Sequence, residues 1–219
     1  MIIITMNYMR EPVHLTDVSH HYGNIQSLDH ITLSLPPAST TALTGGNGSG
    51  KSTVLGLLAG TLRPSAGTVS NTPVNVGLVP QHSAVPDLFP VTVRSVVSMG
   101  RWRTGRWRLM RPLSPRDRAI VEKSLERMNI IDLADRTLGD LSGGQRQRTL
   151  IAQGLAQEAP LLLLDEPLSA VDSHTVTLID RAVHEEKVAG TSVVIATHHR
   201  SQAESADQII NLDRGRIAA

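Results

Sequence analysis

Residues 45 to 53 read Gly-Gly-Asn-Gly-Ser-Gly-Lys-Ser-Thr, so four glycines precede a lysine and two hydroxyls. This spacing fits G-x-x-x-x-G-K-[ST]. Glycines let the backbone curl close to a phosphate and aim its N–H groups inward, and a helix opening there adds the positive end of its dipole. Lys51 would neutralise β- and γ-phosphate oxygens, and the Ser52 hydroxyl would ligate Mg²⁺. Gly45, Gly46, Asn47, Gly48, Ser49, Gly50, Lys51, Ser52 and Thr53 are therefore the expected nucleotide-phosphate-binding set. The competing reading is a glycine-rich turn with an incidental lysine. Taken alone, the loop leaves kinases, GTPases and other nucleotide hydrolases open.

A second candidate is the apolar run Leu161-Leu162-Leu163-Leu164, which ends in Asp165-Glu166. In phosphate-loop enzymes the first acid holds Mg²⁺ from the far side, and that role falls to Asp165. Glu166 would then stand near the γ-phosphate, where a carboxylate orients and deprotonates the attacking water. The blander reading is a strand running into an exposed acidic turn.

These residues need elements to position them. Ile31, Leu33 and Leu35 alternate with polar residues as a half-buried strand does, and residues 40–43 and 74–79 predict further strands. A helix is expected over 51–62, which makes strand, loop and helix consecutive. Prolines 86, 90, 112 and 115 break the middle of the chain, and residues 101–118 hold seven arginines against one acid, Asp117. Helices are expected over 116–128 and 142–156. The last third returns to strands at 161–164, 192–196 and 208–212, with a helix whose apolar face is Val176, Ile179 and Val183. Strands separated by helices imply a parallel, helix-covered sheet.

The chain has 219 residues, 21 Lys plus Arg against 20 Asp plus Glu, and 40% apolar residues, enough for one good core. A net charge of +1 offers no global attraction for nucleic acid. With no cysteine, disulfides and thiolate metal sites are excluded, which fits a reducing compartment. No apolar run approaches the roughly 20 residues of a membrane-spanning helix, and residues 1–5 lack the basic flank of a signal peptide. Residues 1–12 are read as a loose N-terminal extension.

Leu141-Ser142-Gly143-Gly144-Gln145 narrows the class. Ser142 at a helix N-cap and two glycines expose backbone donors to a γ-phosphate. The pentapeptide resembles the signature of ABC ATPases, and the order and spacing of the other motifs match that family over about residues 13–215. The resemblance implies an α/β fold: a P-loop NTPase, RecA-like core with N-terminal antiparallel β strands and an inserted α-helical subdomain at about 86–155, within one ABC ATPase domain at 13–219. It implies a head-to-tail dimer, expected to be a homodimer, in which Ser142, Gly143, Gly144 and Gln145 of one subunit meet ATP held by the other.

Four further residues take roles from the resemblance. Tyr22, 29 residues before Lys51, matches the aromatic that stacks on adenine, with a core aromatic as the alternative. Gln81 matches the glutamine that contacts Mg²⁺ and links nucleotide to the helical subdomain. In Ser169-Ala170-Val171-Asp172, Asp172 matches the acid of a loop crossing the dimer interface. His198 matches the switch histidine that hydrogen-bonds the γ-phosphate, chosen over His199 by its register with Thr197. The chain departs from the family at His199, where aspartate is frequent, at Gly46, where proline is frequent, and at Gln153-Gly154, where arginine-alanine is frequent. The remaining histidines have no metal-ligand spacing and read as surface residues.

Residues 79–93, followed by Met99-Gly100-Arg101-Trp102, resemble the zinc and manganese importer branch, with iron-chelate importers sharing parts of the stretch. The implied protein is an ATP- and Mg²⁺-dependent ATPase at the cytoplasmic face of the membrane. Its implied partners are integral membrane permeases and, indirectly, an extracytoplasmic substrate-binding protein. The Arg/Trp segment at 101–118 reads as a permease- or membrane-docking face, with a solvated surface as the alternative, rather than a nucleic-acid surface. A mechanoenzyme of DNA repair or translation would carry coiled-coil insertions or a second cassette, and a small-molecule kinase would not need the signature.

Overall fold

The computed structural model describes residues 9, 11–81, 90–102, 112–169 and 171–218. Most of residues 1–12, the centre of the importer-like stretch (82–89), the arginine-rich residues 103–111 and Ala170 lie outside the described residues. The chain divides into two compact units. One takes the described residues of Met1–Leu78, Ala159–Glu166 and Val183–Ala219, and the other those of Val79–Glu158 and Pro167–Ala182.

The first unit carries two sheets. Strands β1 (Val13–Tyr22) and β2 (Ile25–Leu35) form an antiparallel hairpin, and β4 (Ala66–Ser70) pairs with the free edge of β1, giving the order β2-β1-β4. The second sheet runs in the order β5-β6-β7-β3-β8-β9. Its strands are β3 (Thr40–Thr44), β5 (Val76–Val79), β6 (Leu161–Asp165), β7 (Ser192–Ala196), β8 (Gln208–Asp213) and β9 (Arg216–Ile217). Strand β3 lies between β7 and β8 and is parallel to both, and β6 is parallel to β7. Central parallel strands are buried on both faces, which is why Leu161–Leu164 is a run of leucines with no alternation.

Helix α1 (Lys51–Leu58) follows β3 and packs on β6 and β7. The apolar core gathers Leu15, Leu28, Ile31, Leu35, Leu43, Leu55, Leu58, Leu163 and Val194, joining both sheets to α1. The helix stops at Leu58, four residues short of the expectation from sequence. Thr61 and Leu62 both donate backbone N–H bonds to the Gly56 carbonyl, and Gly60 turns left-handed at φ 70°, a helix-terminating arrangement open to glycine. Strand β5 likewise begins two residues later than expected, because Val74 beside Pro73 is wholly exposed.

The second unit is helical. Helix α2 (Val93–Met99) is capped by the Thr92 hydroxyl, and α3 (Pro115–Arg127) opens with proline at its first position and a Ser114/Asp117 capping box. Both pack on α4 (Gly143–Ala156), and Val93, Val97, Val121, Leu125, Leu150 and Ile151 of these three helices are buried. Helix α5 (Ser173–Val188), of which the part to Ala182 belongs to this unit, carries the predicted Ile179 inward, while α6 (Arg200–Glu204) is a short helix after β7 in the first unit. No helix among the described residues is long and apolar enough to cross a membrane.

Candidate functional site: a phosphate loop facing a carboxylate and a histidine

The loop from Gly45 to Gly50 connects the end of β3 to the start of α1. Gly45, Gly48 and Gly50 hold φ of 140°, 75° and 106°, where side chains are strained. A Cβ on Gly45 would lie 2.1 Å from the Leu212 carbonyl oxygen, and one on Gly50 would lie 2.6 Å from Leu28 Cδ2. Only glycine lets the loop pass under β8 and over β2. Backbone N–H groups of the first turn of α1 have no intrahelical acceptor, so the cradle fits an anion.

Lys51 is buried, and its ammonium donates to the carbonyls of Gly45 at 2.9 Å and Gly46 at 3.0 Å. Its charge is thereby fixed inside the loop. Glu166, one residue past β6, stands 3.9 Å from Lys51 Nζ through Oε1, while Oε2 is 3.4 Å from His198 Nδ1. The Glu166 side chain is only 12% exposed, whereas that of His198 is 53% exposed. Register explains the meeting: Asp165 pairs with Ala196, the last residue of β7, and Glu166 N–H donates to the Ala196 carbonyl at 2.9 Å. Lysine, carboxylate and histidine thus converge at the C-terminal edge of three neighbouring parallel strands, where ligands of open α/β sheets bind.

The imidazoles of His198 and His199 lie 4.4 Å apart, tilted by 32°, and His199 N–H donates to the Thr197 hydroxyl at 3.0 Å. It is His198 that faces Glu166. Asp165 ends β6 half-buried and Ser52 is exposed at the start of α1. Both are hard oxygen donors of the kind Mg²⁺ takes, so the residues present fit that ion.

Tyr22 is 50% exposed at the tip of the β1–β2 hairpin, directly paired with Ile25 across the two-residue turn Gly23-Asn24. Two residues beyond Ile25, the Ser27 hydroxyl meets the Thr53 hydroxyl of α1 at 2.6 Å, so the hairpin is tied to the phosphate-loop helix.

In the second unit, Ser142 caps α4 reciprocally. Its hydroxyl accepts from Gln145 N–H at 3.3 Å and Gln145 Oε1 accepts from Ser142 N–H at 3.0 Å. The Ser142 O–H proton stays available to an acceptor such as a phosphate. A Cβ on Gly143 would meet nothing within 4 Å, and one on Gly144 would lie 3.5 Å from Asp172 Oδ2. Asp172 lies beside the signature turn and caps α5 by accepting from Thr175 N–H at 2.7 Å. That backbone bond, first among the causes, holds the Asp172 carboxyl below its usual range. Gln81 also belongs to this unit.

Sequence reasoning missed one contributor. Gly215, in the β8–β9 turn Asp213-Arg214-Gly215-Arg216, donates its N–H to the Ser49 carbonyl at 3.1 Å and accepts from Asp29 N–H at 2.8 Å. The glycine turn signals a hairpin, but nothing local says that it grips the phosphate loop.

A family model described as ABC transporter matches residues 28–169. The chain is 37% identical to the chelated iron transport system membrane protein YfeB of Yersinia pestis, over 92% of this chain and 71% of that one. It is 36% identical to the high-affinity zinc uptake system ATP-binding protein ZnuC of Bacillus subtilis (93% and 91%) and 37% identical to the manganese transport system ATP-binding protein MntA of Synechocystis (95% and 84%). A bacterial ABC transporter cassette solved as a dimer superposes with a TM-score of 0.83 at 26% identity, covering 94% of this chain and 97% of the other.

Proposed function

The chain belongs to the ABC transporter family and is an ATPase of that class, and from this premise we propose that it powers uptake of a divalent transition metal, zinc or manganese. The observation carrying the catalytic reading is the placement of Glu166 between Lys51 and His198 at the mouth of the phosphate loop. The loop N–H groups and Lys51 bind the β- and γ-phosphates of ATP, and Tyr22 receives adenine. Glu166 accepts the proton of the attacking water as its oxygen bonds to γ-phosphorus and the bond to the ADP oxygen breaks, giving ADP and phosphate. His198 donates to the γ-phosphate and holds Glu166 in register. Ser52, Asp165 and Gln81 are the residues that would hold Mg²⁺, which neutralises charge on the transferring phosphate when bound. The part of Gln81 rests on its sequence position alone.

The working form is a head-to-tail homodimer in which Ser142, Gly143, Gly144 and Gln145 of one subunit close on the ATP of the other, with Asp172 at the interface. ATP binding draws the subunits together and hydrolysis releases them. The dimer acts at the cytoplasmic face of a membrane with integral permeases and, through them, a substrate-binding protein. Zinc and manganese are favoured as cargo because two of the compared relatives are named for those metals, and because residues 79–93 resemble that branch; the chelated-iron relative supports the alternative. Uptake of labelled zinc, manganese and ferric chelate in cells carrying wild type or Lys51→Ala tests this. Loss of zinc or manganese uptake in the variant is expected, and unchanged uptake of both metals would remove the cargo assignment.

A further inference from the structure

We infer that His20 is a positioning residue for the nucleotide base, holding the Tyr22 ring at a fixed place relative to the phosphate-loop helix. The inference deepens the reading of Tyr22 as the adenine platform and rests on it. His20 and Tyr22 lie two apart at the end of β1, where the pairing with β2 is irregular between His20 and His21. Their ring centroids are 4.8 Å apart at an interplanar angle of 82°, an edge-to-face pair. The two rings have opposite surroundings: His20, expected from the sequence to be a surface residue, is only 7% exposed, and Tyr22 is 50% exposed.

A half-exposed tyrosine at a hairpin tip rotates freely about two side-chain bonds unless something stops it, and that freedom is lost each time a base stacks. The buried imidazole restricts it. Its own orientation is set by one hydrogen bond, Nδ1 donating to the Arg63 carbonyl at 2.9 Å; Nε2 is enclosed with no hydrogen-bond partner among the described residues. The remaining hold of this ring on its surroundings is therefore packing, and Tyr22 is its ring partner.

The anchor matters as much as the contact. Arg63 lies five residues beyond the end of α1, the helix that begins at Lys51. The same connection is fastened to β1 by Ser65 N–H donating to the Ser19 carbonyl at 2.8 Å and by His21 N–H donating to the Ser65 hydroxyl at 3.2 Å. His20 thus joins the base platform to the far end of the helix whose near end binds phosphate. A base and a triphosphate held at a set spacing bind with less ordering cost than two sites that move independently.

The test compares MgATP with Mg²⁺-tripolyphosphate, which has the phosphates and no base, by titration calorimetry on wild type, Tyr22→Ala, His20→Ala and His20→Phe. His20→Ala should weaken ATP binding by about threefold to tenfold, the usual range for an edge-to-face contact, and leave tripolyphosphate binding unchanged. His20→Phe keeps a ring against Tyr22 without the bond to Arg63 and should recover part of the loss. If His20→Ala weakens both ligands equally, or His20→Phe fails as His20→Ala does, His20 is only a structural residue and the inference is overturned. If Tyr22→Ala weakens ATP while His20→Ala does not, this inference fails and the platform reading stands. If Tyr22→Ala has no effect on ATP, the platform reading fails first and this inference with it.

Discussion

Glu166 occupies the left-handed region at φ 46°, where residues with a Cβ are strained. The strain places its side chain between Lys51 and His198 instead of continuing the alternation of β6. Glycine has no such penalty, so the ordinary order of substitutions should reverse here. Glu166→Gly is expected to be more stable than Glu166→Ala by about 1 kcal/mol, read from urea denaturation midpoints. Both variants should lack ATP hydrolysis. An alanine variant at least as stable as the glycine variant would show that the left-handed backbone costs nothing.

Turns and caps position the chemistry at the next scale. The β8–β9 turn holds the phosphate loop through Gly215, whose φ is 80° and whose added Cβ would lie 2.6 Å from the Ser27 carbonyl oxygen. Gly215→Ala should destabilise the protein by about 2 kcal/mol or more and also weaken ATP binding, since the N–H that fixes Ser49 would shift. Thermal denaturation and ATP titration separate the two effects, and unchanged ATP affinity would deny the turn its part. Helix α3 carries a titratable cap. The Ser114 hydroxyl first, and Arg101 after it, hold the Asp117 carboxyl below its usual range. The native state therefore favours ionised Asp117, a contribution complete above the ordinary value of about 4 and lost as pH falls through the lower native one. Ser114→Ala should cost about 1 kcal/mol at neutral pH and flatten the fall in urea midpoint between pH 6 and pH 3. An unaltered acid slope would place that fall on other carboxylates.

For the whole molecule, the proposed dimer has a consequence that no single variant reveals. Lys51→Ala damages the phosphate loop, whereas Gly143→Asp puts a carboxylate into the signature at a Cβ position with open space around it. Each protein alone should fold and lack activity. In a mixed head-to-tail dimer both defects fall in one composite site and the other site is intact, so mixing the two inactive proteins should restore ATP hydrolysis. Failure to complement, with both variants folded and dimerising, would count against shared sites.

The phosphate loop, the Asp165-Glu166 pair and the signature were legible in the sequence because each is contiguous, so residue types and spacing alone display its chemistry. The central strands β3, β6, β7 and β8 and the helices α1, α3, α4 and α5 were legible in the same way, whereas β1, β4, β9, α2 and α6 were not assigned, and Gly60 and the Pro73-Val74 segment decide the ends of α1 and β5. Sequence by itself thus determined the family and the chemical inventory. Tertiary structure decided what depends on register between distant strands: His198, and not His199, meets Glu166 because β6 and β7 run parallel with Asp165 opposite Ala196. It also decided the supports, Gly215 beneath the loop and His20 beneath Tyr22. Each acts through the backbone carbonyl of a residue far away in the sequence, Ser49 for Gly215 and Arg63 for His20, and residue spacing along a chain carries no record of such contacts.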